Sequence, residues 1–495
     1  MDDRTNQRPH GGSPPRRRVL LWMASVVVAT VVATGIVLDV NGSDEDSDER
    51  GQSASPSAAP APGSGTGLPV VGGFDARSGW RTPVDPDTRA SGDPGFPQVA
   101  FAPRSQAVVY LDKDGAVRAV RPGDGRELWA WAPSGLSDYT FNAAVAVVDT
   151  SGGDYAVVLS RQESVSVTDG SRKVLTFVDV APVARPEGST PLTRRFALGD
   201  VDWTMVATPD GVMLGRTGRY GGLSPAVLIN PATGVQTPVE PRSTACSQGT
   251  CEASTVLPTA RGVLTAWQQS SGCDQYGYGT GPTCASGWEV GTSWSSASVA
   301  PYGLPVGVPL GVTSQYLVAA WQASTLHLTD YPRVDNTQNT VFAVHDLATG
   351  AVVAQITCRS PEGMPMSPGS AQPSTRTSPS GRYLVSGQTV FDLQTRTGRC
   401  LTGDGTTRRG IDVWSVDDHG IVYGTIRRDR IPYGALPVLL PEDARGPEQT
   451  ARFDLARDQV ELLPAGTLVP LALAADGSGV FRTGSELGTY PKAPE

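Results

Sequence analysis

The sequence predicts an all-β protein, a single β-propeller of eight (alternatively seven) four-stranded blades, preceded by one N-terminal transmembrane helix. Three observations lead there. From residue 68 onward, short apolar runs alternate with polar residues at period two, and Gly, Pro, Asp and Ser interrupt them every eight to twelve positions. A strand–turn–strand unit of roughly 40 to 50 residues recurs, the size of one propeller blade. Residues 19–38, VLLWMASVVVATVVATGIVL, are uncharged. At about 1.5 Å per residue they would span roughly the 30 Å of a bilayer core.

Taken in order, residues 1–18 are polar and too short to fold, which leaves a disordered tail. Arg16, Arg17 and Arg18 precede the apolar run, and Asp39, Asp44, Glu45, Asp46, Asp48 and Glu49 follow it. Basic residues stay on the cytoplasmic side, so the tail is expected inside and the remainder outside. A cleaved secretory signal is the rival reading, and it exports the bulk equally. Residues 39–67 are acidic and then rich in Ser, Ala, Pro and Gly, a linker. Residues 68–495 are the extracytoplasmic propeller domain.

The clearest unit is PQVAFAPRSQAVVYLDKDGAVRAVRPGDGRELWAW, residues 97–131. Val108, Val109 and Leu111 give one strand, and Asp114-Gly115 is expected to form a tight hairpin with positive φ at both residues. Val117 and Val120 alternate in the next strand. Asp124-Gly125 turns again, and Leu128, Trp129 and Trp131 close the unit. Weaker copies run through 155–180, 206–239, from 262, to 358, 378–401, to 463 and 471–484. Radial stacking suits a chain too long for one ordinary core, because each blade buries its faces against neighbours. The last unit is short of strands, and residues 68–84 hold an isolated strand–turn–strand. The two ends are therefore expected to share one blade and latch the ring. The irregular stretch 253–307 leaves seven blades open, and a β-sandwich or two separate β domains are the competing architectures.

The 108–131 segment, VVYLDKDGAVRAVRPGDGRELWAW, resembles the repeat of pyrroloquinoline-quinone-type propellers. SPSGRYLVSGQTVFDLQTRTG is similar to blades of the WD40 and TolB-like groups. As a whole the chain resembles a quinoprotein-like propeller of the actinobacterial membrane-anchored type, and that resemblance implies a binding scaffold. Quinoprotein dehydrogenases hold their quinone between a Trp and a disulfide of adjacent cysteines. No adjacent Cys pair exists here, so no cofactor is expected. Trp129, Trp131, Trp267 and Trp321 lie at strand positions, where filling space between blades is the expected role.

Six cysteines in an exported chain point to disulfides. Fifteen pairings are possible. Proximity favours Cys246 with Cys251 and Cys273 with Cys284, leaving Cys358 with Cys400. No Cys-x-x-Cys or neighbouring His supports a metal site. Asp112-Lys113-Asp114-Gly115 resembles the start of a calcium loop but lacks the distal acid, so a hairpin turn is the reading. Tyr276 and Tyr278, in a Gly-rich loop, and Arg427, Arg428 and Arg430 are the candidate binding-loop residues. No Gly-x-Ser-x-Gly or His-Glu-x-x-His occurs, and no catalytic residue is assigned. A net charge of -9 without a basic face argues against nucleic acid.

Long loops on a rigid scaffold carry function, and insertions are expected near 270–298, 324–340, 359–376 and 427–450. The expected function is binding or scaffolding of an envelope protein or cell-wall component. An exported hydrolase or lyase acting at the channel mouth is the alternative.

Overall fold

A computed structural model of the chain describes residues 68–494 apart from 85–98, 133–143, 151, 166–171, 186–192, 200–203, 209–210, 218–222, 242–250, 270–285, 305, 323–338, 360–374, 403–409, 427–448 and 484. These residues form a propeller of eight four-stranded antiparallel blades. Blade one holds Val99–Ala102, Ala107–Leu111, Val117–Val120 and Glu127–Trp131, and blade two Ala144–Thr150, Gly153–Val165, Arg172–Pro182 and Arg194–Gly199. Blade three holds Thr204–Thr208, Gly211–Thr217, Leu223–Ile229 and Gln236–Val239, and blade four Cys251–Thr259, Gly262–Gln269, Ser286–Val290 and Trp294–Ser295. Blade five holds Val306–Val312, Tyr316–Gln322, Asn339–Asp346 and Val352–Arg359, and blade six Thr375–Thr377, Tyr383–Ser386, Thr389–Asp392 and Thr397–Cys400. Blade seven holds Ile411–Val416, Ile421–Ile426, Thr450–Asp454 and Gln459–Leu462.

Blade eight closes the ring from both ends of the domain. Ala472–Leu473, Gly479–Arg482 and Glu486–Tyr490 supply three strands, and Trp80–Pro83 adds the outermost by pairing with Glu486–Tyr490. The shared blade is as expected, but residues 68–84 contribute one strand rather than two. Before Trp80 the chain makes isolated bridges, Val70 with Leu468 and Phe74 with Lys492. The Asp75 carboxylate accepts from the Arg77 amide (3.0 Å) and starts the turn into the closing strand. The irregular stretch 253–307 resolves into blade four plus a short helix, Ser296–Val299, and a 3₁₀ turn, Pro301–Gly303. Its first strand also touches the third strand of blade three at Leu223 and Thr255, which fuses those two blades into one continuous sheet.

The turns between third and fourth strands share one chemical device. Asn230, Asp346, Asp392 and Asp454 each accept, through Oδ1, the amides two and three residues on, at 2.8–3.2 Å. A positive-φ residue then reverses the chain: Gly234, Gly350, Arg396 and Asp458. This is the Asx turn that short polar side chains favour, and glycine supplies the left-handed position without a steric cost. At Gly350 a Cβ would also lie 2.7 Å from Val299 and 2.8 Å from the Trp294 ring. The expected two-residue hairpin at Asp114-Gly115 is corrected by the register. Leu111 pairs with Val117, so the loop is 112–116, and of the pair only Gly115 has positive φ. Asp112 organises it, accepting from the amides of Asp114 (2.9 Å) and Ala116 (2.8 Å).

The core is a series of seams between blades, and tryptophans staple several of them. From its outermost strand each reaches a carbonyl of the next blade: Trp80 to Pro122 (2.7 Å), Trp129 to Val183 (2.9 Å) and Trp294 to Leu347 (3.0 Å). Trp129, Trp288 and Trp321 are fully buried, whereas Trp131 and Trp267 are only partly so. Between blades five and six the outermost strands are joined instead by the Cys358–Cys400 disulfide.

The seam of blades four and five holds Trp288, Trp294 and Trp321 around His345, which is fully buried. Trp321 Nε1 donates to His345 Nε2 (3.2 Å), and the Gly350 carbonyl lies 2.9 Å from Nδ1. A carbonyl only accepts, so the proton sits on Nδ1 and the imidazole is neutral. Burial pushes its pKa below the ordinary histidine value. The unfolded chain therefore binds the extra proton first as pH falls. Stability from this group is complete above about pH 6.5 and is lost as pH drops from there toward the lower folded-state value, at up to about 1.4 kcal/mol per pH unit. Thermal unfolding followed from pH 7 to pH 5 should show this loss, and His345→Gln should remove that component. An unchanged pH dependence in the variant would refute the assignment.

No helix among the described residues is long and apolar enough to cross a membrane. Residues 19–38 lie outside the described residues.

Candidate functional site

Antiparallel blades with four strands make the chain enter every blade in the same direction. Turns after first and third strands therefore gather on one face of the ring, and connections after second and fourth strands on the other. Contacts between turns mark the first face. Ala475 N donates to Gln106 Oε1 (2.7 Å), Ser380 N to Asp418 Oδ1 (2.9 Å) and Leu455 N to the Gly420 carbonyl (3.1 Å). On the second face Leu401 N donates to the Gln388 carbonyl (2.8 Å) and Val413 N to the Gly387 carbonyl (2.9 Å).

The strand boundaries distribute chain length unequally between these faces. The five longest connections are 84–98, 270–285, 323–338, 360–374 and 427–449. All leave from the second face, three between second and third strands and two between blades. The other face carries short turns, the longest being 183–193 in blade two. The insertion expected at 270–298 is shorter than its sequence suggested, because Ser286–Val290 and Trp294–Ser295 are strands of blade four. The connection 84–98 was not among the expected insertions. Its Pro- and Gly-rich sequence follows the closing strand directly, a signal that appears once the closing blade is known.

Of the sequence-predicted residues, Tyr276, Tyr278, Arg427, Arg428 and Arg430 lie outside the described residues, as do Cys246, Cys273 and Cys284. The strands flanking 270–285 and 427–449 belong to blades four and seven and both end on the long-connection face. Cys251 begins the first strand of blade four. Cys358 and Cys400 are bonded, with Cα atoms 5.7 Å apart. Among the described residues no cluster of three or more His, Cys, Asp or Glu is placed to hold a metal ion.

The innermost strands line the axial channel. Their described residues are mostly small or apolar, and Arg376 is the one basic residue on them. Sequence reading passed over it, because one Arg between two threonines gives no local signal. Arg376 is half-buried, and its Nη1 donates to the carbonyls of Trp414 (3.3 Å) and Leu471. One side chain of blade six thus reaches the inner edges of blades seven and eight. Trp414 is the extra residue of a β-bulge between Val413 and Ser415. A bulge residue is left out of the ladder, consistent with its carbonyl being available to the guanidinium. Burial pushes the Arg376 pKa below the ordinary arginine range.

Two other partly enclosed arginines are paired with carboxylates. Arg118 bridges Asp112 (2.6 Å) and Glu127 in blade one. In blade two Arg195 donates to both carboxylate oxygens of Asp179, Nε to Oδ1 at 2.8 Å and Nη2 to Oδ2 at 2.9 Å.

No family model matches the sequence, and no curated protein matches it. Solved structures with similar folds include the C-terminal WD40 domain of Sif2 and Sqt1 of Saccharomyces cerevisiae. The first has a TM-score of 0.38 and 10% identity, covering 84% of this chain and 97% of that one. The second has a TM-score of 0.40 and 10% identity, covering 87% of this chain and 100% of that one. Likeness at this level leaves function to the chain's own residues.

Proposed function

We propose that this chain is a membrane-anchored, extracytoplasmic propeller of quinoprotein-like type that binds an envelope protein or cell-wall component through its long-connection face. The observation that carries the reading is the segregation of the five longest connections to one face while the other is trimmed to short turns. Closed propellers are rigid, because each blade is wedged between two others, and loops mounted on a rigid frame are the usual carriers of recognition. The uncharged run 19–38, flanked by arginines before and acids after, supports the anchor and its orientation. The disulfide suits an oxidising compartment. The only acidic residues on the described innermost strands, Asp149, Glu252 and Asp412, belong to three different blades, which favours binding over hydrolysis.

Photo-crosslinking in intact cells tests this. A crosslinking residue at Lys113 or Ser485, exposed beside second-strand turns, should capture a discrete partner. The same residue at Pro379 or Arg457, exposed on the short-turn face, should not. Equal capture from both faces, or turnover of a defined substrate by the purified protein, would overturn the reading.

A further inference from the structure

We propose that the Nε–Nη2 edge of Arg376 is a binding site for a carboxylate group of a small ligand that enters the axial channel. The comparison that assigns the ligand class lies within the same molecule. In Arg195 this edge holds the Asp179 carboxylate with two near-parallel hydrogen bonds of 2.8 and 2.9 Å. In Arg376 only Nη1 is used, by the carbonyls of Trp414 and Leu471. Those two carbonyls orient the guanidinium, and the fork that matches a carboxylate has no protein partner among the described residues. A planar fork that is already oriented forfeits little side-chain entropy on binding, which makes bidentate capture favourable.

Charge leads to the same class. An enclosed cation without a counter-ion is costly. Two carbonyl dipoles reduce that cost but add no negative charge. Arg118, enclosed in blade one, faces two carboxylates, those of Asp112 and Glu127. Arg376 is the one basic residue on the described innermost strands, which makes it the cation those strands offer to an anion in the channel. Thr375, its neighbour, is the first described residue after the connection 360–374, which places this strand's start on the long-connection face. The site does not depend on that face binding a partner.

The test is equilibrium dialysis of the full chain in detergent micelles against radiolabelled acetate, at fixed ionic strength and pH 7, with inorganic phosphate as competitor. The parent chain should bind one acetate. Arg376→Met should lose saturable binding, and Arg376→Lys, which keeps the charge but not the fork, should bind at least about tenfold more weakly. Far-UV circular dichroism checks the fold of both variants, and if Arg376→Met does not fold, Arg376→Lys decides. Unchanged binding in the variants, or no saturable binding to the parent, would overturn the site. Phosphate displacing acetate at much lower concentration than acetate itself would overturn the carboxylate assignment.

Discussion

Replacing Trp80 by alanine should destabilise the propeller by about 3–5 kcal/mol, the range for truncating a buried large aromatic. Trp80 sits on the single strand that carries the start of the domain to its end. It is 3% exposed, and it packs with Val84, Val108, Tyr110, Val120, Val480 and Leu487. Its indole N–H also ties blade eight to the Pro122 carbonyl of blade one. Gly125 receives the ring so closely that a Cβ there would lie 2.5 Å from it. The loss therefore falls on the strand that makes the non-covalent closure of the ring, the pairing of Trp80–Pro83 with Glu486–Tyr490 inside blade eight. Trp131→Ala, on the outermost strand of blade one and only partly buried, should cost less. Denaturant unfolding gives the stability, and limited proteolysis should show faster cleavage in the Trp80 variant. A Trp80→Ala chain as stable and as protease-resistant as its parent would show that this strand does not latch the ring.

Breaking the Cys358–Cys400 bond should cost on the order of 4 kcal/mol in the chain-entropy model, because 42 residues separate the two cysteines. The bond links the outermost strands of neighbouring blades, where Ile356 already packs against Gly398. The native seam should thus survive reduction while the unfolded chain gains freedom. The Cys358→Ser, Cys400→Ser double variant should unfold at lower denaturant concentration, and thiol reductant should bring the parent chain toward the same midpoint. Equal midpoints for parent and variant under oxidising conditions would remove the bond from the stability of the ring.

Much of the architecture was legible because propeller blades are local. Each blade pairs strands that are neighbours in sequence, so period-two alternation and turn residues mark it. VVYLDKDGAVRAVRPGDGRELWAW and SPSGRYLVSGQTVFDLQTRTG both map onto strands and turns, with the loop at 112–116 longer than the two-residue hairpin expected there. Even the non-local closure could be anticipated, since the last unit lacked a strand and FDARSG repeats the Asx-turn pattern of FDLQTRTG. Blade four was harder. Its strands are separated by 270–285, its fourth strand is two residues long, and Trp288 and Trp294 stand in a Ser- and Gly-rich stretch that imitates a loop. Their role is clear only when blade five brings Trp321 and His345 against them.

The sequence by itself determined the strand class, the turn chemistry and the near-equal repeat, because these depend on residues within a few positions of one another. Tertiary structure decided the blade count of eight, the gathering of the longest connections on one face, and the convergence of blades six, seven and eight on the Arg376 guanidinium. Those features depend on how many twisted sheets close a circle and on which strand ends meet around its axis. Neither is encoded in any local pattern of side chains.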